Sequence, residues 1–598
     1  MSFDIRLHYK QKILSLIRGI KTKQRWKTLI LDFKSQKLIS SLFNLLELNE
    51  EAITLIENIE IQRESFITME AIYFIYPSIE NLELIKKDIN VDGIAKYFQF
   101  HLLFLDTIKD DMFEKLIQLN KTNKIVTLNE FYCNFIPEEK YFLNLLMDKK
   151  IAFQNLYSPL TRHKELINSL DLIAENICQF LMNFNMFPTI RYHQEDKQKK
   201  SGLTNLLADM IYNKLNLYYN DNDIKESDIE RPILLLLDRS FDLNPPFLYN
   251  FSYEPYLKDV FCFEDNKVPS FEDTKGELKE IYLDHHDLIY QQIKSKSITE
   301  AARYIRTQYN ELLKNNQAAK QFITGEIKQD EKNLNELKNA VKQLPQVKQS
   351  SNLLKNHTLL TDKCINVFKE RSLNLIAPLQ KELTSNNKED SIEQHNLLLT
   401  NLIDILLQDN IRLKDKVRVL SLYLLNHPTI LDDRYRLEIV SEIKSHIYSN
   451  SISNISYIKN GPIIMESTEN ESTTKIKDWH MEPTEGKIDD LINFKLLKEE
   501  QSINCDTLHL KSILLNLYNN TLSFSEFPYL NPPSILQTKE KDEKTITFIL
   551  GGVTLSEVKL INRFNKAFIK EKNTALLGST HLILQDQFLL DLFELSKN

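Results

Sequence analysis

Three charged residues, Asp238, Arg239 and Asp242, closely follow an apolar run at residues 233–237. Acids at the end of a buried strand can hold Mg²⁺, and a metal-dependent hydrolase would use Asp238 and Asp242 in this way. Such enzymes commonly place a second acid two residues after the first, where this chain has Ser240. The adjacent arginine would also neutralise the acids. We therefore favour a structural corner in which the three charges satisfy one another, because buried charges must be paired.

A second cluster, Asp284, His285, His286 and Asp287, contains residue types that bind transition metals. Adjacent residues of a helix point in different directions, so these four side chains cannot converge on one ion. The sequence therefore predicts a solvated helix face at this position. No HExxH motif is present elsewhere in the chain.

A glycine pair, Gly551 and Gly552, follows an apolar strand pattern. Thr554 and Glu557, just beyond it, have the spacing of a capping box at a helix start. The N-terminus of such a helix can bind an anion. A tight turn between the strand and the helix explains the same residues, and both interpretations stay open at this point.

The composition argues against several classes of protein. The net charge is −8 over 598 residues, whereas a general nucleic-acid-binding protein normally carries a basic excess. Only 10 residues are glycine, and none forms a GxGxxG, GxxxxGK or GxSxG motif, so neither a nucleotide-binding enzyme nor a common α/β hydrolase is indicated. We expect no cofactor and no metal.

Cysteine usage and hydropathy indicate the compartment. The five cysteines are far apart and contain no CxxC pair, which fits a reducing, intracellular environment. No apolar stretch reaches the roughly 18 residues that a transmembrane helix needs, and the first residues lack the apolar core of a signal peptide. We therefore expect the protein to reach membranes only through its partners.

Short apolar segments alternate with amphipathic helices in the first part of the chain. Helical spacing covers residues 37–48 and 110–119. Strands are predicted at residues 26–33, 52–58, 70–78, 97–106 and 123–128. Strands this apolar, separated by helices, predict a parallel sheet that is covered on both faces.

A long helical region follows residue 245. Its apolar positions step by three and four residues in two stretches, which begin at residues 298 and 334. Pro345 lacks a backbone donor, so we expect the second helix to break or kink there. Strand patterns return only at residues 545–552 and 574–580. Because so few strands do not form a stable sheet alone, they are predicted to complete the sheet begun before residue 245.

Several segments together resemble one family. The longest are RPILLLLDRSFDLNPPFLYNFSYEPYLKDVF, ITFILGGVTLSEV and ALLGSTHLILQDQFLLDL. WKTLILD, FQNLYSP, FPTIRYH and LPQVKQ precede or separate them in the matching order and spacing. Over almost the whole chain, these segments resemble the SM family of syntaxin-binding vesicle-fusion proteins. FQNLYSP, PTIRYH and EFPYLNPPS resemble the versions found in the exocytic, plasma-membrane branch.

The resemblance implies an α/β fold: a three-domain arch with two parallel-sheet α/β domains and a large, mainly helical insertion. The implied limits are 1–135 for the N-terminal domain, 136–245 with 488–598 for the central domain, and 246–487 for the insertion. The last part of the insertion, from residue 461, is polar and is predicted to be a mobile arm. Family members are not enzymes and hold no cofactor, so the resemblance also favours the structural corner.

The resemblance implies a cleft between the N-terminal domain and the insertion that binds a closed syntaxin or its SNARE helix. Similarity places Asp32, Lys37, Glu57 and Arg63 on the inner face of this cleft. They can also be ordinary surface charges, which contribute little individually. The exocytic branch is more basic around the position of Asn44, so part of the charge match is lost here.

A second implied site, on the outer side of the first domain, holds an N-terminal peptide of syntaxin. Similarity places Phe113, Ile125 and Glu130 there. An aromatic and an aliphatic side chain can form a pocket for an anchor residue, and an acid can pair with a basic residue of the peptide. Core packing is the alternative explanation for Phe113 and Ile125.

The resemblance therefore implies a monomeric, cytoplasmic regulator of vesicle docking and membrane fusion. It would clasp syntaxin, template SNARE assembly, and be recruited peripherally to the plasma membrane or secretory vesicles through syntaxin. Pro345 would act as a hinge that lets the helical hairpin offer a groove to a vesicle SNARE helix. The alternatives are the Golgi or vacuolar and endosomal branches of the family, a helical tether without SNARE preference, and the metal-dependent hydrolase.

Overall fold

A computed structural model describes most of the chain. The described residues are 3–89, 95–120, 123–194, 202–222, 229–263, 267–272, 278–283, 287–315, 334–384, 392–426, 451–452, 454–455, 458, 508–530, 544–568 and 574–596. Within these ranges, no helix combines the length and the apolar character needed to cross a membrane. The predicted arm from residue 461 lies outside the described residues, as do the arm residues Asp478, Trp479 and Pro483, which partly match an Arg-Trp-x-Pro motif of the resembled family.

The first part of the chain contains alternating helices and strands. They are α1 (Ile5–Gly19), β1 (Lys27–Leu31), α2 (Phe33–Leu42), α3 (Leu45–Glu50), β2 (Ile53–Asn58), β3 (Glu70–Ile75), α4 (Ile79–Ile89), β4 (Phe100–Phe104), α5 (Asp110–Leu119) and β5 (Ile125–Glu130). The predicted helix at residues 37–48 is in fact two helices. Asn44 interrupts it, because its side chain accepts from the Glu47 N–H at 2.9 Å while Glu47 accepts from the Asn44 N–H at 3.1 Å.

These strands form one five-stranded, fully parallel sheet in the order β2-β1-β3-β4-β5. Every residue of β3 and β4 is buried, as expected of central strands with helices on both faces. The predicted parallel sheet is therefore confirmed. Since all strands point the same way, the sheet has one edge of strand beginnings, the amino edge, and one of strand endings, the carboxyl edge.

The next part of the chain leads into the long helices. It contains β6 (Ile136–Glu139), β7 (Phe142–Asn144), α6 (Asn155–Tyr157), α7 (His163–Asn183), β8 (Thr189–Tyr192), α8 (Leu203–Asp221), β9 (Ile233–Asp238), α9 (Tyr253–Phe261), β10 (Lys267–Glu272), β11 (Leu278–Tyr282), α10 (Leu288–Ile293), α11 (Ile298–Asn315), α12 (Leu334–Glu370), α13 (Leu373–Thr384), α14 (Ile392–Leu407) and α15 (Leu413–Asn426). The last part contains α16 (His509–Tyr518), β12 (Lys544–Leu550), α17 (Leu555–Phe568), β13 (Thr574–Ser579) and α18 (Gln585–Glu594).

A second, six-stranded sheet has the order β6-β7-β13-β12-β9-β8. Its two late strands lie in the middle: β12 pairs in parallel with β9, and β13 pairs in parallel with both β12 and β7. The expectation that the last strands complete an earlier sheet is confirmed. The chain therefore leaves this sheet after β9 and returns to it more than 300 residues later, with the long helices in between.

The helix that contains Pro345 does not end there. The backbone of α12 is helical from Leu334 to Glu370, so the predicted break is wrong, whereas a kink at Pro345 stays a prediction. A proline inside a helix costs about 3 kcal/mol or more. Burial downstream of it offsets this cost, because Leu354, Leu360 and Cys364 of the same helix are fully or almost fully buried.

Candidate functional site

The end of β9 and the start of α17 form a buried corner. The guanidinium of Arg239 donates to both carboxylate oxygens of Glu557, Nη2 to Oε1 at 2.9 Å and Nη1 to Oε2 at 3.0 Å, and neither side chain is exposed. Burial alone would lower the pKa of Arg239, and the Glu557 carboxylate more than offsets this, so the pKa is raised. The expectation that Asp238, Arg239 and Asp242 satisfy one another is therefore wrong. The counter-ion comes from 318 residues away.

The acids of this corner bind protein donors through all four carboxylate oxygens. Asp238 accepts from the Ser240 N–H at 2.8 Å and from the Tyr157 hydroxyl at 3.1 Å. Asp242 accepts from two main-chain N–H groups, at 3.0 and 3.2 Å. Burial raises the pKa of both acids. In the described part of the chain, no group of three His, Cys, Asp or Glu side chains could hold a metal ion, and this corner does not support a hydrolase.

The glycine pair between β12 and α17 forms a tight turn. Gly551 and Gly552 have φ values of 80° and 96°, which lie in the left-handed region that favours glycine. A Cβ atom on Gly551 would overlap the ring of Tyr157. The Glu557 carboxylate accepts from the N–H of Thr554 at 2.8 Å and from its hydroxyl at 2.9 Å, so this carboxylate occupies the helix N-terminus. The structure favours the turn over the anion site.

The second candidate cluster contains one described residue, Asp287; residues 284–286 lie outside the described ranges. Asp287 is buried and accepts from the Ile289 N–H at 2.8 Å at the start of α10. Its other oxygen lies 2.8 Å from His357 Nε2 on α12, and His357 Nδ1 lies 2.7 Å from the Tyr253 hydroxyl on α9. The prediction of a solvated face is wrong for Asp287, which joins three helices.

Two of the implied cleft residues follow β1 at the carboxyl edge of the first sheet. Asp32 is buried and caps α2: one oxygen accepts from the Ser35 N–H at 2.9 Å and the other from the Tyr76 N–H at 2.5 Å. Lys37, just over one turn further, is partly exposed, and its Nζ lies 4.5 Å from the centre of the exposed Phe33 ring. Asp32 therefore supports the local backbone, whereas Lys37 is accessible to a partner.

The other two cleft residues lie at the end of β2 and beyond it. The Arg63 side chain is only 4% exposed and donates to Asp88 at 2.7 Å. Burial alone would lower the pKa of Arg63, and Asp88 raises it above its ordinary value. Glu57 is partly exposed and accepts from the Tyr97 hydroxyl at 2.9 Å. Of the four implied residues, Asp32 and Arg63 are thus committed to internal contacts, so the expectation that their side chains face a partner is corrected, and the inner-face placement stays a prediction.

The residues of the implied peptide pocket lie along α5 and β5, which are tied together at both ends. At one end Glu130 accepts from the Ile108 N–H at 2.8 Å, just before α5. At the other end the Asn120 side chain donates to the Ile125 carbonyl at 3.0 Å and accepts from the Ile125 N–H at 2.9 Å. Phe113 lies between these ends and is 44% exposed, so core packing does not explain it. Ile125 is partly buried and packs against the core of the first sheet, as the alternative explanation expects.

Sequence reasoning missed Ile117, which is 59% exposed one turn after Phe113 on α5. The same helix buries Met112 and Leu116. In the sequence, Phe113 and Ile117 form a second apolar pair at i and i+4, one position after the pair Met112 and Leu116. This second pair is the signal that would have indicated another apolar face of the helix. We refer to the set of Phe113, Ile117, Ile125 and Glu130 as the α5 surface.

Comparisons with known proteins agree with this fold. A model of the Sec1 family matches residues 27–591, so the chain belongs to the Sec1 family. The "Protein transport protein sec1" of Dictyostelium discoideum is 24% identical over 640 residues, which cover 100% of this chain and 100% of that protein.

Two solved structures share the fold. The Unc18–syntaxin 1 complex from Monosiga brevicollis aligns with a TM-score of 0.76 at 16% identity, covering 99% of this chain and 100% of that chain. The SM protein Vps45 in complex with the Qa SNARE Tlg2 aligns with a TM-score of 0.79 at 19% identity, covering 99% and 98%.

Replacing Glu557 by Gln leaves the buried Arg239 charge without its counter-ion, so we expect a loss of about 3–5 kcal/mol of stability. The double replacement Arg239→Met with Glu557→Met removes both charges and should recover part of this loss, because the buried Thr554 donors still lose their acceptor. Arg18→Met, which breaks an exposed pair with Glu51, is the control and should have little effect. Urea denaturation followed by circular dichroism measures all three. A Glu557→Gln midpoint equal to that of the wild type would contradict the role of the pair.

Burial of His581 beside the glycine turn lowers its pKa from 6.5 to about 3. The unfolded chain takes up this proton as the pH falls below 6.5, whereas the folded protein does not until about pH 3, so stability is lost over that interval. We expect His581→Gln to remove about 2 kcal/mol of the stability loss between pH 7 and pH 5. Urea midpoints at both pH values measure this, with the exposed His163→Gln as control. An unchanged pH dependence would refute it.

Proposed function

We propose that this Sec1-family chain binds a Qa-SNARE of the syntaxin class and thereby regulates vesicle docking and membrane fusion. The fold it shares with complexes of an SM protein with syntaxin 1 and with Tlg2 supports this function. The observation that carries it is the α5 surface. Phe113 and Ile117 are exposed apolar side chains on a helix fixed at both ends, and Glu130 lies at one of those ends. Such a surface suits a peptide with an apolar anchor and a basic residue.

The peptide would be the N-terminal segment of a syntaxin, and the folded part of the syntaxin would occupy a cleft at the carboxyl edge of the first sheet. Lys37 and Glu57 offer partly exposed charges there, and Phe33 offers an exposed ring. Asp32 and Arg63 would shape this edge through their internal contacts. A clasp around a helical bundle should bury more than about 2,000 Å².

The exocytic step at the plasma membrane is the proposed place of action, because FQNLYSP and PTIRYH resemble that branch. The Golgi and vacuolar or endosomal branches are the alternative, and the Vps45 complex shares the fold as well as the Unc18 complex does. The protein would act without catalysis, as a cytoplasmic monomer recruited to the plasma membrane or secretory vesicles through syntaxin. The domain limits 1–135, 136–245 with 488–598, and 246–487 stay predictions.

Replacing Phe113 by Arg puts a charge into the α5 surface, and we expect at least about tenfold weaker binding of a syntaxin cytoplasmic domain. A syntaxin that lacks its N-terminal peptide should bind wild type and variant equally, because the surface has no other proposed ligand. Leu375→Arg, at an apolar position on α13 that is 45% exposed, is the matched control. Isothermal titration calorimetry measures the affinities. If Phe113→Arg weakened both forms of syntaxin alike, or neither, the α5 surface would not be the peptide site.

We propose that Pro345 lets α12 bend, so that α11 and α12 can extend and offer a groove to a vesicle SNARE helix. Replacement by Ala restores the missing N–H donor, and we expect the stiffer helix to bind the vesicle SNARE more weakly and to assemble the SNARE bundle more slowly. A fluorescence assay of bundle assembly, with and without the chain, measures both effects. Identical binding and assembly rates for Pro345→Ala would remove the hinge.

A further inference from the structure

A short basic loop joins α1 to β1. It comprises residues 20–26, IKTKQRW, and we refer to it as the basic loop. Lys21, Lys23, Arg25 and Trp26 are all exposed, and Trp26 is 45% exposed. The Arg25 guanidinium lies 4.7 Å from the centre of the Trp26 ring. Within the described residues, Lys21 and Lys23 have no ion-pair partner. On a chain with a net charge of −8, this loop is a local concentration of positive charge.

Hydrogen bonds to a buried carboxylate hold the backbone of the basic loop in one conformation. The Glu70 carboxylate accepts from the N–H groups of Lys23 and Gln24 at 2.6 and 2.8 Å. Its other oxygen lies 2.9 Å from His101 Nε2, and His101 Nδ1 lies 3.0 Å from the Thr127 hydroxyl. Glu70 and His101 are completely buried. A ligand of the loop therefore meets side chains on an ordered backbone, so that little entropy is lost on binding.

The basic loop lies at the amino edge of the first sheet, because it leads directly into β1. The exposed side chain of Ile67 lies in the loop that leads into the neighbouring strand β3. Glu51, the acid that precedes β2 at this edge, is bound by Arg18, so it does not neutralise the loop. The cleft proposed for syntaxin is at the opposite, carboxyl edge. A ligand of the basic loop would therefore leave that cleft accessible.

We propose that the basic loop binds the surface of a membrane that contains anionic phospholipids. Exposed lysine and arginine side chains attract anionic headgroups, and an exposed tryptophan favours the interface between headgroups and acyl chains. This contact goes beyond the proposed function, which brings the protein to membranes only through syntaxin. It would orient the chain on the membrane with the amino edge of the first sheet facing the lipid.

The first test measures flotation of the full chain with vesicles that carry no SNARE protein. Vesicles of phosphatidylcholine with phosphatidylserine should bind the chain, and vesicles of phosphatidylcholine alone should not. The variant Lys21→Glu with Lys23→Glu should bind at least about tenfold less, since each cation contributes about a factor of five. The variant Arg162→Glu with Lys164→Glu makes the same change in charge at exposed positions on and next to α7 and should bind like the wild type.

The second test follows Trp26 itself. The chain contains two tryptophans, so Trp479→Phe leaves Trp26 as the only one. Its fluorescence should shift to the blue on adding the anionic vesicles, and lipids with brominated acyl chains should quench it. Absence of flotation, equal flotation of the two charge variants, or an unquenched Trp26 would overturn the proposal. If the chain bound soluble polyglutamate but not the vesicles, the proposal would be overturned as well, and an acidic protein would be the indicated ligand of the basic loop. Both tests use vesicles without SNARE proteins, so their results do not depend on whether the chain binds syntaxin.

Discussion

The buried ion pair between Arg239 and Glu557 is the contact that closes this fold. It joins the end of β9 to the start of α17, two segments 318 residues apart, at the point where the chain leaves the second sheet and where it has just returned. Neither charge reaches solvent, so each requires the other. The turn that precedes α17 at this corner requires glycine, because a side chain on Gly551 would overlap Tyr157. The residue types at this corner resemble those of a catalytic site, but their role is structural, because they join the end of β9 to the start of α17.

A second buried arginine anchors the helices inserted between these two segments. Arg418 on α15 donates to Asp259 on α9 at 3.1 Å and to Asp586 on α18 at 2.6 Å. Despite burial, which alone would raise it, Arg418 and its basic neighbours hold the pKa of Asp586 at about 2. These contacts hold α9 and α15 of the inserted helices against α18.

Elements with local signals could be predicted from the sequence, and contacts between distant segments could not. The helix Asp110–Leu119 was predictable because its spacing and its acidic first turn are local. The partner of Arg239 was not, because nothing near residue 239 indicates Glu557. The burial of Asp32 and Arg63 likewise depends on residues of neighbouring elements, including Tyr76 and Asp88. At Pro345 the local preference of proline predicts a break, but the helix continues because burial further along α12 offsets the cost.

The central claim is that the α5 surface and the cleft proposed at the carboxyl edge of the first sheet bind peptides and helices of SNARE proteins, and that the chain changes no covalent bond. Calorimetric titration of the purified chain with the cytoplasmic domains of a panel of Qa-SNAREs tests this claim most directly. We predict that at least one member of the panel binds in a complex of one chain with one SNARE. If none of them bound, and the same sample hydrolysed a small phosphorylated compound in the presence of Mg²⁺, the account would be contradicted.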